Sequence, residues 1–358
     1  MILGLAQSFP PDAAERQLPD VDSARALIGA RRPAVLERIR ARVASADGRG
    51  DVLSMRRFED AIVLAVARFG VRHGSWGEDH HDYHNEDHAL EILDGRVGRL
   101  MNGVGVQALP PTDWRMLMLF GACHDLRQRE RVDFRHPIGN NEAASIAEAT
   151  RIMVAAGFET ARDDADFLAM ELMIAGSTFD ARPTPPPSEF NPAEVAATGG
   201  ALAPKLPAIL DREVPDWRKR EHIGRALTLA MLASDLDTAN VAESFVALAE
   251  SAARLCRERE AFAGRALDAT ESAGPCLDFL SRGQERYFFE LHRFCSELGS
   301  RCFAAGKEAN AARVSTVSAR LRERFPAAGH DATTGAQVVA AFLELARSID
   351  THGATPAR

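Results

Sequence analysis

The stretch Tyr83-His84-Asn85-Glu86-Asp87-His88 carries two histidines four residues apart. Residues four apart on a helix lie on the same face, so a helix that includes His84 presents both imidazoles together. The apolar residues that follow repeat at helical spacing on a neighbouring stripe, and they are Ala89, Leu93, Val97 and Leu100. Imidazole binds divalent transition metals and exchanges protons near neutral pH. The stretch therefore favours a metal-ligating histidine beside a second functional histidine.

Two other segments are predicted to be helices that are apolar on most sides and end in an acid. One runs from Trp114 into the pair His124-Asp125, and the other runs from Ile223 into Asp235. A helix that is apolar all round is buried, and a buried carboxylate is costly unless it is paired or bound to a metal. If these two helices pack side by side, their acids converge on one site.

Helical periodicity extends along the chain, and the sequence shows no strand-rich region and no glycine-rich phosphate loop. We therefore predict a compact, all-α protein. Residues 1–75 form N-terminal helices for packing or dimerisation, and residues 76–325 form the domain that builds the site. A Pro-rich loop at 181–207 lies inside that domain, and residues 326–358 form a C-terminal tail with one helix.

Composition and charge exclude several classes of partner. The chain has 358 residues and a net charge of −8, with acids and bases interspersed, which argues against a nucleic-acid-binding surface. No apolar run is long enough to span a bilayer, and the N-terminus lacks the features of a signal peptide. The five cysteines form no C-x-x-C pair. We expect a cytoplasmic protein with reduced thiols and no membrane partner.

Taken in order, His88, His124-Asp125 and Asp235 resemble the metal-ligand set of the HD superfamily of metal-dependent phosphohydrolases. The Tyr-His-Asn-x-x-His motif at 83–88 looks like that of the class I cyclic-nucleotide phosphodiesterases in particular. The resemblance covers roughly residues 80–305. It implies an HD-domain, phosphodiesterase-like helical bundle with a metal site at its centre.

The resemblance also implies the chemistry of the site. His88, His124, Asp125 and Asp235 would bind one zinc, manganese or iron ion, and a second ion, magnesium or manganese, would share Asp125 and be held mainly by water. Two such ions would hold a bridging hydroxide for in-line attack on phosphorus. His84 would donate the proton that the leaving alkoxide needs.

Further residues take roles by the same resemblance. Gln284 falls where the phosphodiesterases place a purine-reading glutamine, and Tyr287 stands where they place a base-clamping Phe. Both lie on a predicted helix from Leu277 to Phe303, and we assign Tyr83 and Phe288 to the same substrate pocket. Side chains expected to orient a ligand or a water are Asn85, His136, Glu142 and Glu171. His136 follows the HD pair at a greater distance than the family's His-Pro-Gly does.

The leading hypothesis is a phosphodiesterase that hydrolyses a cyclic nucleotide 3′,5′-phosphodiester to the 5′-monophosphate. One alternative is an HD phosphohydrolase for another nucleotide or phosphate ester, since residues 140–145 look like a broader bacterial group of such enzymes. A second is an HD-type di-iron oxygenase, in which His80, His81 or His136 adds ligands. A third is a nucleotide-binding module without activity. For His73, His80 and His81 the simplest expectation is a solvated loop.

Overall fold

A computed structural model of the chain describes residues 9–46, 52–131, 137–180, 199–326 and 332–353. Helices supply nearly all of its regular structure, so the all-α prediction is confirmed. Within the described residues the strands are one short antiparallel pair, β1 (Phe179–Asp180) and β2 (Gly200–Ala201). None of the described helices combines the length and the hydropathy that crossing a membrane requires.

The chain divides into two compact units. The first contains Met1–His80, His84–Asp237 and Phe294–Cys302, and the second contains His81–Tyr83, Thr238–Arg293 and Phe303–Arg358. This division differs from the predicted one. The N-terminal helices belong to the same unit as His84 and His88, and the last helix belongs to the second unit.

The helices of the first unit surround a few elements that are buried on every side. They are α1 (Ala13–Gln17), α2 (Val21–Arg31), α3 (Pro33–Ser45), α4 (Val52–Arg72), α5 (Glu86–Leu90), α6 (Val97–Val104), α7 (Pro111–Cys123), α8 (Asn140–Ala155), α9 (Asp164–Ser177), α10 (Leu206–Glu213) and α11 (Glu221–Asp237). A π-helical segment, Glu91–Arg96, joins α5 to α6. The α4 helix packs against α2, α7 and α8, while α9 lies along α11.

The interior helices have the apolar sequences that such positions need. Every residue of α7 from Asp113 to Cys123 is buried, as predicted for a helix that is apolar all round. The α9 helix is likewise buried from Leu168 to Ser177. Because α11 packs against both α7 and α9, the interior of the unit fixes the ends of the two acid-bearing helices.

The second unit contains α12 (Phe245–Phe262), α13 (Ala273–Asp278), α14 (Gln284–Arg286), the part of α15 (Glu297–Arg324) from Phe303 onward, and α16 (Gly335–Gly353). The α16 helix packs on α12 and α13 through buried side chains that include Val338, Val339 and Phe342. The prediction of one continuous helix from Leu277 to Phe303 is wrong. The regular structure stops at Leu291 after two π-helical segments, and α15 begins at Glu297.

Candidate metal centre

His84 and His88 reach the site from different local structures. The α5 helix begins at Glu86, and the Asn85 side chain caps it by accepting hydrogen bonds from the backbone N–H groups of Asp87 and His88 at 3.0 and 3.3 Å. His84 therefore precedes the helix, and the predicted placement of both histidines on one helical face is wrong. The two rings are still neighbours, with centroids 6.0 Å apart. Asn85, expected to orient a ligand, is the helix cap.

Four side chains bring potential ligand atoms together. His88 comes from α5, His124 and Asp125 directly follow α7, and Asp237 is the last residue of α11. One atom from each lies within 4.8 Å of the others. His124 Nε2 is 3.0 Å from Asp125 Oδ2 and 3.3 Å from Asp237 Oδ1, and His88 Nε2 is 3.6 Å from Asp125 Oδ2. Three helices thus converge on one small cluster, which we call the metal centre.

The acid that α11 contributes to this cluster is Asp237 and not the predicted Asp235. Asp235 is fully buried, and its carboxylate accepts hydrogen bonds from the backbone N–H groups of Cys295 at 2.5 Å and Ser296 at 2.9 Å. Residues two apart on a helix point about 200° apart, so both acids cannot face the histidines. A Cβ atom at Gly299 would collide with the Asp235 carboxylate. Asp235 therefore ties α11 to the start of α15.

The donor set fits a divalent ion. His124 Nε2 faces two carboxylate oxygens at once, and neither contact is aligned as a hydrogen bond. Metal–ligand bonds of about 2.0–2.2 Å place neighbouring donors of a tetrahedral ion roughly 3.4 Å apart. The separations of 3.0, 3.3 and 3.6 Å within the cluster are close to that value. Two imidazoles and two carboxylates suit zinc, manganese or iron. These four side chains could hold a metal ion.

Three polar side chains orient the cluster, and none of them was predicted from the sequence. Glu91 places Oε2 3.8 Å from His88 Nδ1, which leaves Nε2 turned toward Asp125. Gln128 donates to Asp125 Oδ1 at 2.9 Å, so Oδ2 faces the histidines, and Asn141 donates to Gln128 Oε1 at 3.3 Å. Such outer contacts fix the direction of metal ligands. The available signal was spacing, because Glu91 and Gln128 each follow a predicted ligand by three residues.

Charge sets the protonation of the cluster. Burial lowers the pKa of His88, and the nearby guanidinium of Arg96 adds to this effect. Burial also disfavours a charged His124, but the carboxylates of Asp125 and Asp237 outweigh it and raise the pKa of His124 to about 10. Burial alone would raise the pKa of Asp125, but the charge of His124 holds it well below its usual range. Two carboxylates that retain a proton on an imidazole also attract a divalent cation.

Two further candidates lie beside the cluster. His84 is half-buried, and its Nε2 is 3.7 Å from Asp125 Oδ2, so it neighbours the four ligands without being one of them. Glu142 lies in the first turn of α8. Burial, together with the negative charges of Asp125 and Asp237, raises the pKa of Glu142 to about 7. Both residues are therefore within electrostatic reach of the centre, and their roles as acid and orienting group stay predictions.

The other predicted histidines and the remaining acid are placed as follows. Glu171 is buried in α9, and His136 lies outside the described residues. His80 is exposed, which agrees with a solvated loop. His73 and His81 are only 2% and 1% exposed, so the same expectation is wrong for both.

The residues predicted to read and stack on a base belong to the second unit. The hydroxyl of Tyr287 lies 3.5 Å from Asn240 Oδ1, and its ring meets that of His292 edge-on, with centroids 5.8 Å apart. Gln284 is half-exposed and begins the short α14 helix, between two π-helical segments. Tyr287 is thus partly packed within its own unit. Their roles as substrate contacts stay predictions.

Phe288 and Tyr83, the other two predicted pocket residues, are both buried. The Phe288 ring lies 5.1 Å from the ammonium group of Lys307. The backbone N–H of Tyr83 donates to Glu258 at 2.8 Å, and the guanidinium of Arg254 lies 5.7 Å from its ring. Buried aromatic rings with cationic neighbours are well anchored. A structural role within the second unit accounts for these contacts.

No protein-family model matches the chain, and no curated protein matches its sequence. The resemblance to HD phosphohydrolases accordingly rests on the motif residues themselves, and membership of that superfamily stays a prediction.

Proposed function

We propose that this protein is a metal-dependent phosphohydrolase whose centre consists of His88, His124, Asp125 and Asp237. The observation that carries the proposal is the convergence of four ligand atoms, supplied by three helices, within 4.8 Å of one another. A divalent ion held there would polarise a phosphoryl oxygen and make a bound water more acidic. The two carboxylates balance the charge of one such ion, so an anionic substrate meets no net negative charge from the ligands.

His84 is the residue that we assign to proton delivery. The half-buried ring lies at the edge of the cluster, with Nε2 3.7 Å from Asp125 Oδ2. An imidazolium so placed can protonate the alkoxide that leaves phosphorus. The buried rings of His88 and His124 are unsuited to this step, since each turns Nε2 toward the carboxylates.

The finer parts of the proposal concern a second ion and the substrate. Asp125 Oδ2 lies within 3.7 Å of three different histidines, and a shared carboxylate of this kind suits a second ion, magnesium or manganese, that is held mainly by water. For the substrate class we propose a cyclic nucleotide 3′,5′-phosphodiester, hydrolysed to the 5′-monophosphate. The spacing of the motifs along the sequence supports this choice.

The test combines metal analysis with activity. The purified protein is assayed with Mn²⁺, Mg²⁺ or Zn²⁺ against cAMP, cGMP and bis-p-nitrophenyl phosphate, with Asp125→Ala as the control. Turnover that is lost in Asp125→Ala supports the phosphohydrolase. Turnover of bis-p-nitrophenyl phosphate alone would support the metal centre but contradict a cyclic nucleotide as the substrate. Bound iron without any phosphoesterase activity overturns the proposal in favour of the di-iron oxygenase.

A further inference from the structure

Arg96 is a fully buried cation whose link to the metal centre was not predicted from the sequence. It ends the π-helical segment Glu91–Arg96 and is only 1% exposed. Residues eight apart on an α-helix stand about 80° apart around its axis. The wider π-helical turn between His88 and Arg96 reduces that angle. It therefore brings Arg96 toward the face of the helix that carries His88. A buried guanidinium is costly unless its donors are used.

Arg96 contacts the backbone at the end of α11. One guanidinium nitrogen donates to the carbonyl oxygen of Leu236 at 3.2 Å and also to that of Asp237. The last carbonyl groups of a helix have no partner inside the helix, and the negative end of the helix dipole favours a cation. Arg96 thus binds the backbone of the same residue whose carboxylate lies 3.3 Å from His124 Nε2.

We propose that Arg96 is the positioning residue for Asp237, because it fixes the last turn of α11 so that the carboxylate reaches the metal centre. This role rests on the proposed function. The α11 helix ends at Asp237, so no further helical turn holds this backbone in place. Metal–ligand distances tolerate an error of only about 0.2 Å, whereas the last turn of a helix commonly frays.

The chemistry of arginine suits this task better than that of lysine. A guanidinium offers several N–H donors in one rigid plane and can hold two carbonyl oxygens at once. A lysine ammonium at the same position keeps the charge, but it reaches less far and lacks the fixed direction. Replacement by lysine should therefore loosen Asp237 while the buried positive charge remains.

The chain offers a matched control in Arg68. This arginine is also buried, at 3% exposure, and it donates to the carbonyl oxygen of Leu18 at 2.9 Å and to Glu15 Oε2 at 3.3 Å. Together with its contacts to Pro19 and Glu148, these interactions involve none of the four cluster residues. Arg68→Lys therefore reports what a buried arginine-to-lysine change does by itself.

The experiment measures the affinity for Mn²⁺ and Zn²⁺ by titration calorimetry, together with the thermal midpoint of each metal-free protein. We expect Arg96→Lys to bind metal about 10–100-fold more weakly than the wild type, which is the usual cost of losing an outer-shell partner. Arg96→Gln removes the buried charge and serves as the second variant should the lysine variant not fold. Arg68→Lys should lose thermal stability and retain the wild-type affinity within about twofold.

Each outcome decides one point. Wild-type affinity in a folded Arg96→Lys or Arg96→Gln protein overturns the role of Arg96 and leaves the metal centre intact. An equal loss of affinity in Arg68→Lys shows a general effect of buried arginines and also overturns the specific role. A wild-type protein that binds neither ion overturns the proposed function, and the positioning role with it.

Discussion

Asp235 and Asp237 stand two residues apart at the end of α11, and their carboxylates serve different partners. The Asp235 carboxylate accepts hydrogen bonds from Cys295 and Ser296, whereas that of Asp237 lies 3.3 Å from His124 Nε2. Successive side chains turn by about 100° around a helix, so neighbours at this spacing point to nearly opposite sides. One acid therefore stabilises the fold, and the other is available to a metal.

The pair makes a matched test. Asp237→Asn should weaken metal binding by more than about 100-fold, because it removes a ligand and not merely an outer contact. Asp235→Asn should lower the free energy of unfolding by about 1.5–3 kcal/mol, the value of a hydrogen bond to a charged group. Calorimetric metal titration and urea denaturation of both variants measure the two effects. Loss of the metal in Asp235→Asn, with retention in Asp237→Asn, would reverse the assignment.

The sequence predicted the helices that carry these acids but not which acid faces the histidines. The apolar composition of α7 and α11 was sufficient to predict that both are buried and end at the site. The segment Ser234-Asp235-Leu236-Asp237 offers two acids on opposite sides, and only the rotation of the helix selects one. That rotation depends on packing against residues 294–302, which are remote in sequence.

Local sequence signals explain why the observed position of His84, before the helix, differs from the predicted one within it. Asn85 followed by Glu86 and Asp87 is a typical helix start, and it implies that His84 lies outside the helix. The π-helical segment Glu91–Arg96 has no such signal, since periodicity arguments assume 3.6 residues per turn. Sequence periodicity therefore does not predict that Arg96 approaches the end of α11. The all-α prediction is unaffected by these local differences, because it depends on the pattern of the whole chain.

The assignment of His84 as proton donor predicts a dependence on the leaving group. His84→Asn should lower kcat by about 10²–10⁴-fold for an ester with an alkoxide leaving group, the usual contribution of a general acid. The same variant should hardly change kcat for bis-p-nitrophenyl phosphate, because p-nitrophenolate leaves without a proton. Metal affinity should be unchanged, since His84 is outside the cluster. Equal losses for both substrates would contradict the assignment.

Metal binding should depend on pH through His124. The carboxylates of Asp125 and Asp237 overcome the effect of burial and raise the pKa of His124 to about 10, so near neutral pH the metal-free imidazole carries a proton that the ion must displace. The affinity should therefore rise by about tenfold per pH unit between about pH 6 and 8. Calorimetry in two buffers of different ionisation enthalpy should show close to one proton released. A flat profile without proton release would contradict this view of the centre.

The stability that the contact between Asp12 and Arg72 contributes should decrease in acid. Burial alone would raise the pKa of Asp12, but the hydrogen bonds and the charge of Arg72 hold it well below its usual value of 3.8. A depressed pKa contributes stability that is present above pH 3.8 and is lost as the pH falls below it. The difference in unfolding free energy between the wild type and Asp12→Asn should therefore shrink from pH 6 to pH 3. A constant difference across that range would contradict the pairing.

Arg72 also links this network to Leu126, the residue that follows His124 and Asp125. It donates to the carbonyl oxygen of Leu126 at 2.8 Å, directly after the ligand pair, and to the fully buried carboxylate of Glu148 at 2.8 and 3.0 Å. Arg72→Met should lower the free energy of unfolding by about 3–5 kcal/mol, because it leaves a buried charge without its main partner. Arg72→Met combined with Glu148→Leu should recover much of that loss, and urea denaturation measures both. If the double variant is no more stable than Arg72→Met, the cost lies in the contacts of Arg72 with Leu126 and Asp12 and not in its ion pair with Glu148.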